Sequence, residues 1–167
     1  IGKGTTYNVT GRIRGKSSEF QILLGGHYDT HFWGFQDDCC AVGLVLAAAK
    51  AMLDIGFEPE NDIVFCLHGA EEWGSSYTQF DWTVGAWEMI NTLHPEWVGK
   101  TLAFLNFELP AYEFATYTTT YSAPEMFSLL RTFTTRYPYA PKPQGCFPDG
   151  MLTEGYQTYT YSDDFSY

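Results

Sequence analysis

The stretch Phe20–Thr30 reads FQILLGGHYDT, and it joins an apolar run to a cluster of ionisable side chains. Its first half, FQILLG, predicts a strand of the kind that is buried on both faces of a sheet. His27 and Asp29 follow directly, so they emerge at the end of this predicted strand. Open α/β sheets bind ligands beyond the carboxyl ends of their strands, and we therefore expect a site here.

Two later segments repeat this arrangement. The run Asp62–Leu67 (DIVFCL) predicts a second buried strand and leads into the pair Glu71-Glu72. The run Thr101–Phe107 (TLAFLNF) predicts a third strand and ends at Glu108. These carboxylates are therefore expected to converge with the histidine in one crevice.

The remaining elements predict an α/β sandwich. Tyr7–Arg14 is predicted to be a strand that forms a hairpin with Phe20–Gly25. Ala41–Ile55 is rich in Ala and Leu, and it predicts a largely buried helix. The other predicted elements are helices over Val84–Leu93 and Ala123–Tyr137, strands over Phe114–Tyr121 and Gln157–Tyr161, and a loop over Pro138–Gly155. Strands joined by helices predict a parallel or mixed sheet.

Composition limits the partners. The 167 residues, 45% of them hydrophobic, are enough for one core, so we predict a single domain over residues 1–167. The net charge of −11 would repel phosphate surfaces, and this argues against nucleic acid and membrane as partners. The compartment is left open by the sequence.

The residue types in the crevice suit a metal site. In an extended segment His27 and Asp29 point to the same side, so Asp29 can accept the proton of the ring nitrogen that is not on the metal. Adjacent glutamates point in different directions, so one of the Glu71-Glu72 pair can bind a cation while the other stays free as a general base.

Two further carboxylates extend this set. Asp38 lies at the entrance to a predicted helix, where a carboxylate is electrostatically favoured and can bridge two ions. Glu108 offers another oxygen ligand. Histidine with carboxylates suits zinc, or a harder divalent ion such as manganese or cobalt.

The motifs GGHYDTH, QDDCCAVGLVLAAAKAM, DIVFCLHGAEEWGSS and LNFELPA follow one another between Tyr7 and Ala111. In this order they resemble the co-catalytic zinc aminopeptidases (peptidase family 28 type), a family that also includes glutamate carboxypeptidase and glutaminyl cyclase relatives. The resemblance implies a three-layer α/β/α sandwich with a mixed, mostly parallel central sheet, as in zinc exopeptidases. It also implies hydrolysis of N-terminal peptide bonds, in a peptide or small amide substrate, by a metal-activated water.

The resemblance also implies roles for individual residues. Glu71 is then the general base, Asp29 supports the metal-binding histidine, and the implied metal ligands are His27, Asp38 and Glu72, with Asp38 bridging. Asp38 is preferred to Asp37 because the following helix then aligns with the family without a gap.

Two departures from the family pattern affect the second metal. Glu108 stands where the family usually has an aspartate, and Ser162-Asp163-Asp164 stands where it has Ser-Asp-His, which makes Asp164 the candidate last ligand. The oxygen-rich set predicts one or two ions, with zinc on the histidine side and zinc, manganese, cobalt or another divalent ion at a weaker second site. Compared with family catalytic domains the chain looks shortened at both ends, so we expect a partial domain, with parent segments or a second copy of the chain as candidate partners.

Two alternative functions stay open. One is a glutaminyl-cyclase-like transferase on the same scaffold, which would keep a single zinc. The other is a degenerate, non-catalytic metal-binding domain, which the altered residues Glu108 and Asp164 make plausible. The remaining histidines, His31, His68 and His94, are interpreted as structural or solvent-facing.

Overall fold

The computed structural model describes residues 4–74, 82–110, 117–136, 151–156 and 162–167. The chain divides into two compact units, one formed by Ile1–Leu109 with Tyr161–Tyr167 and the other by Pro110–Thr160. All the predicted site residues belong to the first unit. The assignment of residues 1–167 to a single domain stays a prediction.

The first unit is built around a mixed sheet. Its strands are β1 (Val9–Ile13), β2 (Ser17–His27), β3 (Asn61–His68) and β4 (Thr101–Asn106). Within the described residues their order is β1-β3-β2-β4. β2 runs parallel to both β3 and β4, whereas β1 is antiparallel to β3. The sheet is therefore mixed and mostly parallel, as predicted.

Helices cover both faces of this sheet. Helix α1 (Cys40–Asp54) packs through Val45 against Leu24 and Phe65. On the opposite face α2 (Val84–Glu88) continues into a π-helical turn (Met89–Leu93), and Met89 and Ile90 pack with Leu23, Val64, Cys66 and Trp97. Successive strand residues point to opposite faces, and this is why β2 contributes to both clusters. The three-layer α/β/α architecture is confirmed.

The predicted hairpin between the first two strands is wrong, because β1 pairs with β3 instead. Ile13 lies opposite Ile63 in that pairing. The neighbouring Asp62, 1% exposed, accepts hydrogen bonds from Arg12 Nη1, the Gly15 amide and Ser18 Oγ. A buried carboxylate requires such donors, and they hold the β1–β2 connection beside the start of β3.

Helix α1 has the predicted position but not the predicted burial. Ala41 and Val45 are its buried residues, whereas Leu46 is 55% and Leu53 66% exposed. One side of the helix meets the sheet, and its outer side is left open by the part of the chain that the structure describes. Among the described residues no helix is both long and apolar enough to cross a membrane.

The second unit contains two parallel strands, β5 (Tyr117–Ser122) and β6 (Met151–Tyr156), and helix α3 (Phe127–Arg136). A 3-10 turn over Pro124–Met126 precedes α3. All of strand β6 except its last residue falls within the predicted loop Pro138–Gly155, so the loop assignment is wrong there. The closely spaced prolines end before Met151, and the following backbone pairs with β5. The predicted strand Gln157–Tyr161 lies outside the described residues.

Candidate metal centre

The parallel strands end together at the predicted site. His27, the last residue of β2, lies opposite His68 at the end of β3, and Gly25 lies opposite Asn106 at the end of β4. The turns that follow β3 and β4 therefore deliver their acidic residues to the same edge of the sheet as His27. This is the convergence that the sequence predicts.

Gly26 allows the surrounding segments to approach that edge. A Cβ atom at this position would lie 3.0 Å from Asp38 Oδ2, 3.1 Å from Ala41 Cβ and 2.9 Å from the Phe107 carbonyl oxygen. Any side chain would therefore push away both the entrance to α1 and the segment that follows β4. The glycine before His27 is thus required for a closely packed site.

The ring of His27 is oriented with Nε2 toward the carboxylates. Its Nδ1 lies 2.9 Å from the main-chain oxygen of Asp29, so Nδ1–H can donate there, and Nε2 is the nitrogen that a metal would bind in exchange for its proton. Nε2 is buried and makes no hydrogen bond with any described residue. Four carboxylates approach it: Asp37 Oδ1 at 3.1 Å, Glu108 Oε1 at 3.7 Å, Glu71 Oε2 at 3.9 Å and Asp38 Oδ2 at 4.0 Å.

The carboxylate of Asp29 supports the glutamate pair as well as His27. Its Oδ1 accepts the Glu71 amide at 3.0 Å, and its Oδ2 accepts the Glu72 amide at 3.2 Å. The same carboxylate lies 3.6 Å from His27 Nδ1. Burial raises the pKa of Asp29, but its contact with His27 and the two amides outweigh burial and lower that pKa overall. Asp29 therefore remains ionised and links β2 to the turn after β3.

That turn has an unusual backbone at Ala70, whose φ is 58°. The left-handed conformation costs an L residue about 1–2 kcal/mol. The amides of Thr83 and Val84 donate to the carbonyl oxygens of Glu71 and Ala70, at 2.8 and 3.0 Å, and help to hold it. The turn directs Glu71 inward, where it is 3% exposed.

Crowded, buried carboxylates have altered proton affinities. Burial raises the pKa of Glu71 to about 8, and the charges of Asp163, Glu108 and Glu72 add to the effect. Burial also raises the pKa of Asp38 to about 8, with a further contribution from Glu108. A proton or a cation would relieve this repulsion, and both are plausible occupants of the cluster.

Two sets of three side chains bring ligand atoms within 4.8 Å of one another: His27 with Glu71 and Glu72, and His27 with Asp37 and Glu108. The predicted ligands His27, Glu72 and Glu108 all occur in these sets. Asp38 is fully buried beside them, and neither of its carboxylate oxygens makes a hydrogen bond within the described ranges. The side chain of Asp164 lies outside the described residues, so its role stays a prediction.

The neighbours of Asp164 contribute to the site in ways that the sequence did not indicate. Ser162, 2% exposed, donates through Oγ to Glu108 Oε2. Asp163 is fully buried, with Oδ2 3.0 Å from His68 Nδ1, and His68 Nε2 lies 2.9 Å from the Tyr167 hydroxyl. His68 is therefore part of a buried polar cluster. The Ser-Asp-Asp motif was the signal that could have identified both contacts.

Two more residues of the site were not selected from the sequence. Asp37 lies nearer to His27 Nε2 than Asp38 does, at 3.1 Å against 4.0 Å. His31 Nε2 lies 3.1 Å from Glu72 Oε2. A second histidine four positions after His27 was the available signal for the latter contact.

The arrangement is a histidine and several carboxylates gathered at the carboxyl ends of parallel strands in an α/β/α fold. Residues 8–154 match the family described as Peptidase family M28. The chain therefore belongs to peptidase family M28.

Individual relatives are similar to this chain in sequence or in fold. The chain is 31% identical over 109 residues to the probable leucine aminopeptidase 2 of Aspergillus fumigatus, a match that covers 64% of this chain and 20% of that protein. The fold is similar to an aminopeptidase from Aneurinibacillus sp. strain AM-1, with a TM-score of 0.71, 18% identity and coverage of 95% of this chain and 35% of that one. It is also similar to Macrostomum lignano glutaminyl cyclase, with a TM-score of 0.68, 14% identity and coverage of 95% and 56%. The chain thus spans about a fifth of the length of the curated relative.

The donors at the strand ends fit a divalent metal. His27 Nε2 and Glu72 Oε1 are buried, and neither makes a hydrogen bond with a residue that the structure describes. Such atoms are costly to bury without a partner, and a cation would satisfy both. One imidazole with several carboxylates is a donor set that zinc and manganese accept.

Proposed function

We propose that this chain carries the active site of a metal-dependent exopeptidase that removes N-terminal residues from peptides or small amides, with zinc as the metal. Membership of family M28 supports a peptidase. The observation that carries the proposal is the position of Glu71. This glutamate is buried, its Oε2 lies 3.9 Å from His27 Nε2, and it belongs to a set of three side chains whose ligand atoms lie within 4.8 Å of one another. A carboxylate held beside a metal position is suited to act as a general base.

We assign the metal to His27, Glu72, Glu108 and one carboxylate of the Asp37-Asp38 pair. On distance Asp37 is the better candidate for the role predicted for Asp38. Asp164 remains the candidate ligand of a second, weaker site for zinc, manganese, cobalt or another divalent ion. A divalent ion bound to these residues would supply Lewis acidity, which activates water and stabilises negative charge on the substrate carbonyl oxygen.

Glu71 and Asp29 supply the proton transfer and the positioning that the reaction requires. Glu71 takes a proton from the attacking water and passes it to the leaving amine. Burial raises the pKa of Glu71 to about 8 without a metal, and the positive charge of a bound ion would lower that pKa toward the range in which Glu71 is ionised and can accept a proton. Asp29 accepts the Glu71 amide through Oδ1 and lies beside His27 Nδ1 through its main-chain oxygen. It therefore fixes the position of the base relative to the histidine ligand.

Turnover of two substrate types tests the proposal. The purified protein with zinc would be assayed for aniline release from aminoacyl anilides and for ammonia release from peptides with N-terminal glutamine. Anilide hydrolysis supports the exopeptidase. Ammonia release without anilide hydrolysis would instead support the glutaminyl-cyclase-like transferase, and zinc binding without either reaction would support a non-catalytic metal-binding domain.

A further inference from the structure

We infer that His31 is a positioning residue that fixes the Glu72 carboxylate, holding one of its oxygens so that the other faces the metal. This inference rests on the metal site proposed above. It gives a function to a histidine outside the ligand set.

The two oxygens of Glu72 have different surroundings. Oε2 lies 3.1 Å from His31 Nε2, within reach of a hydrogen bond from the imidazole. Oε1 is buried and makes no hydrogen bond with the described part of the chain. Glu72 belongs to the set with His27 and Glu71, so one of its oxygens lies within 4.8 Å of the ligand atoms of both, and the buried Oε1 is the oxygen that lacks a partner. The imidazole therefore determines which oxygen remains free.

Two aromatic rings lie near the imidazole of His31. The His31 side chain is 54% exposed, so solvent alone would leave its rotamers free. The ring of Trp73 lies 6.0 Å from the His31 ring, and that of Phe32 lies 6.5 Å away, each inclined by 45°. Phe32 is itself fully exposed and Trp73 is 47% exposed, so these rings leave the imidazole room to rotate, and its approach to Glu72 Oε2 at 3.1 Å is the contact that can orient it.

The geometry favours positioning over direct ligation. Neither set of three ligand atoms found among the described residues includes His31. The two oxygens of Glu108 also have different neighbours. Ser162 donates to Oε2, while Oε1 faces His27 Nε2. Each of these glutamates thus has one oxygen beside a polar side chain, His31 or Ser162, and a second oxygen that is free to bind a metal. Hydrogen bonds of this kind orient metal-binding carboxylates and increase metal affinity.

Zinc titration of matched variants tests the inference. His31→Ala should weaken zinc binding by about 10–100-fold with the number of bound ions unchanged. His31→Gln should recover part of the affinity, because the amide N–H can still donate to Glu72. His94→Ala is the control, since His94 is another partly exposed histidine paired with a glutamate, 2.9 Å from Glu96 Oε1. It should bind zinc like the parent.

The readouts separate this inference from the metal site itself. Binding by calorimetry gives affinity and stoichiometry, and thermal unfolding in EDTA should be nearly unchanged because His31 is exposed. Parent-like zinc affinity in His31→Ala would overturn the inference, as would loss of one whole equivalent of zinc, which would make His31 a ligand. If the parent bound no zinc, the proposed function would fail together with this inference.

Discussion

Ser162 Oγ donates a hydrogen bond to Glu108 Oε2, across a separation of 54 residues in the sequence. Glu108 is one methylene longer than an aspartate, and a longer side chain has more rotamers to restrict. The serine holds the outer oxygen while Oε1 stays 3.7 Å from His27 Nε2. The altered position can therefore still present a well-placed oxygen to a metal.

Replacement of this serine should weaken the metal site. In Ser162→Ala we expect zinc affinity to fall by about 10–100-fold, because Glu108 loses the donor that orients it. Zinc titration measures the effect. Ser18→Ala is a matched control that removes a hydroxyl donor from the structural carboxylate of Asp62. It should lower stability by about 1 kcal/mol and leave zinc affinity intact. Equal zinc affinity in the two variants would argue against a role for Ser162.

Removal of the general base should separate catalysis from metal binding. We expect Glu71→Gln to retain zinc but to lose about 10²–10⁴-fold in rate, since the amide cannot accept the proton of the attacking water. Rate and zinc content are measured on the same preparation. Glu72→Gln is the comparison, and it should lose zinc as well as rate. Near-parental turnover of Glu71→Gln would refute the assignment of the base.

The two adjacent aspartates should respond differently to conversion to asparagine. Asp37→Asn should lose more zinc affinity, because Asp37 Oδ1 is the carboxylate oxygen closest to His27 Nε2, at 3.1 Å. Asp38→Asn should stay nearer to the parent, since Asp38 Oδ2 lies 4.0 Å from that nitrogen. Calorimetric titration of both variants decides between them. The reverse order would restore Asp38 as the ligand, which is the choice made from the sequence.

The stability of the metal-free protein should fall as pH rises. The pKa values of Asp38 and Glu71 are raised to about 8, mainly by burial, so the folded state binds their protons more tightly than the unfolded state does. This stabilisation is complete below about pH 4, the ordinary carboxyl range, and is lost as pH approaches 8. Burial lowers the pKa of His27, but the contacts with Asp29 and Glu108 outweigh it and raise that pKa to about 12, so its contribution has the same sign.

Thermal unfolding in EDTA between pH 5 and 8 measures this effect. We expect the Tm to decline across the range, and added zinc to raise it more at pH 8 than at pH 5, because zinc replaces the protons. A Tm in EDTA that climbs with pH would contradict the electrostatic interpretation of the cluster. Glu71→Gln, which lacks one of the titrating groups, should show a shallower decline.

The sequence predicted the elements whose signal is local. β2 and β3 are marked by continuous apolar runs because both faces of their central residues are buried, and α1 is marked by its length and helix-forming composition. β4 carries a similar run, although Leu102 is 51% and Leu105 47% exposed among the described residues. The order of strands and acidic turns then sufficed to predict which residues meet at the sheet edge. His27, Glu71, Glu72 and Glu108 converge for this reason.

Partners chosen by tertiary structure were not predictable in this way. The pattern of β1 shows that it is a strand but not that β3 is its neighbour. Hydrogen bonds to Asp62 at the start of β3 hold the two segments together, and they join residues up to 50 positions apart in the sequence. Likewise, no local pattern distinguishes Asp37 from Asp38, or indicates that Ser162 reaches Glu108. These contacts depend on how distant segments fold over the strand ends.

The pairing of β1 with β3 also has a consequence for the order in which the chain can fold. A hairpin with β2 could close as soon as both strands leave the ribosome, whereas the observed partner is synthesised only after α1. Closing the longer loop costs roughly 2 kcal/mol more entropy than closing a hairpin turn. β1 therefore stays unpaired until β2 and β3 have formed, because its partner strand β3 comes later in the chain. We expect the amides of β1 to be among the last in the sheet to gain protection from hydrogen exchange during refolding.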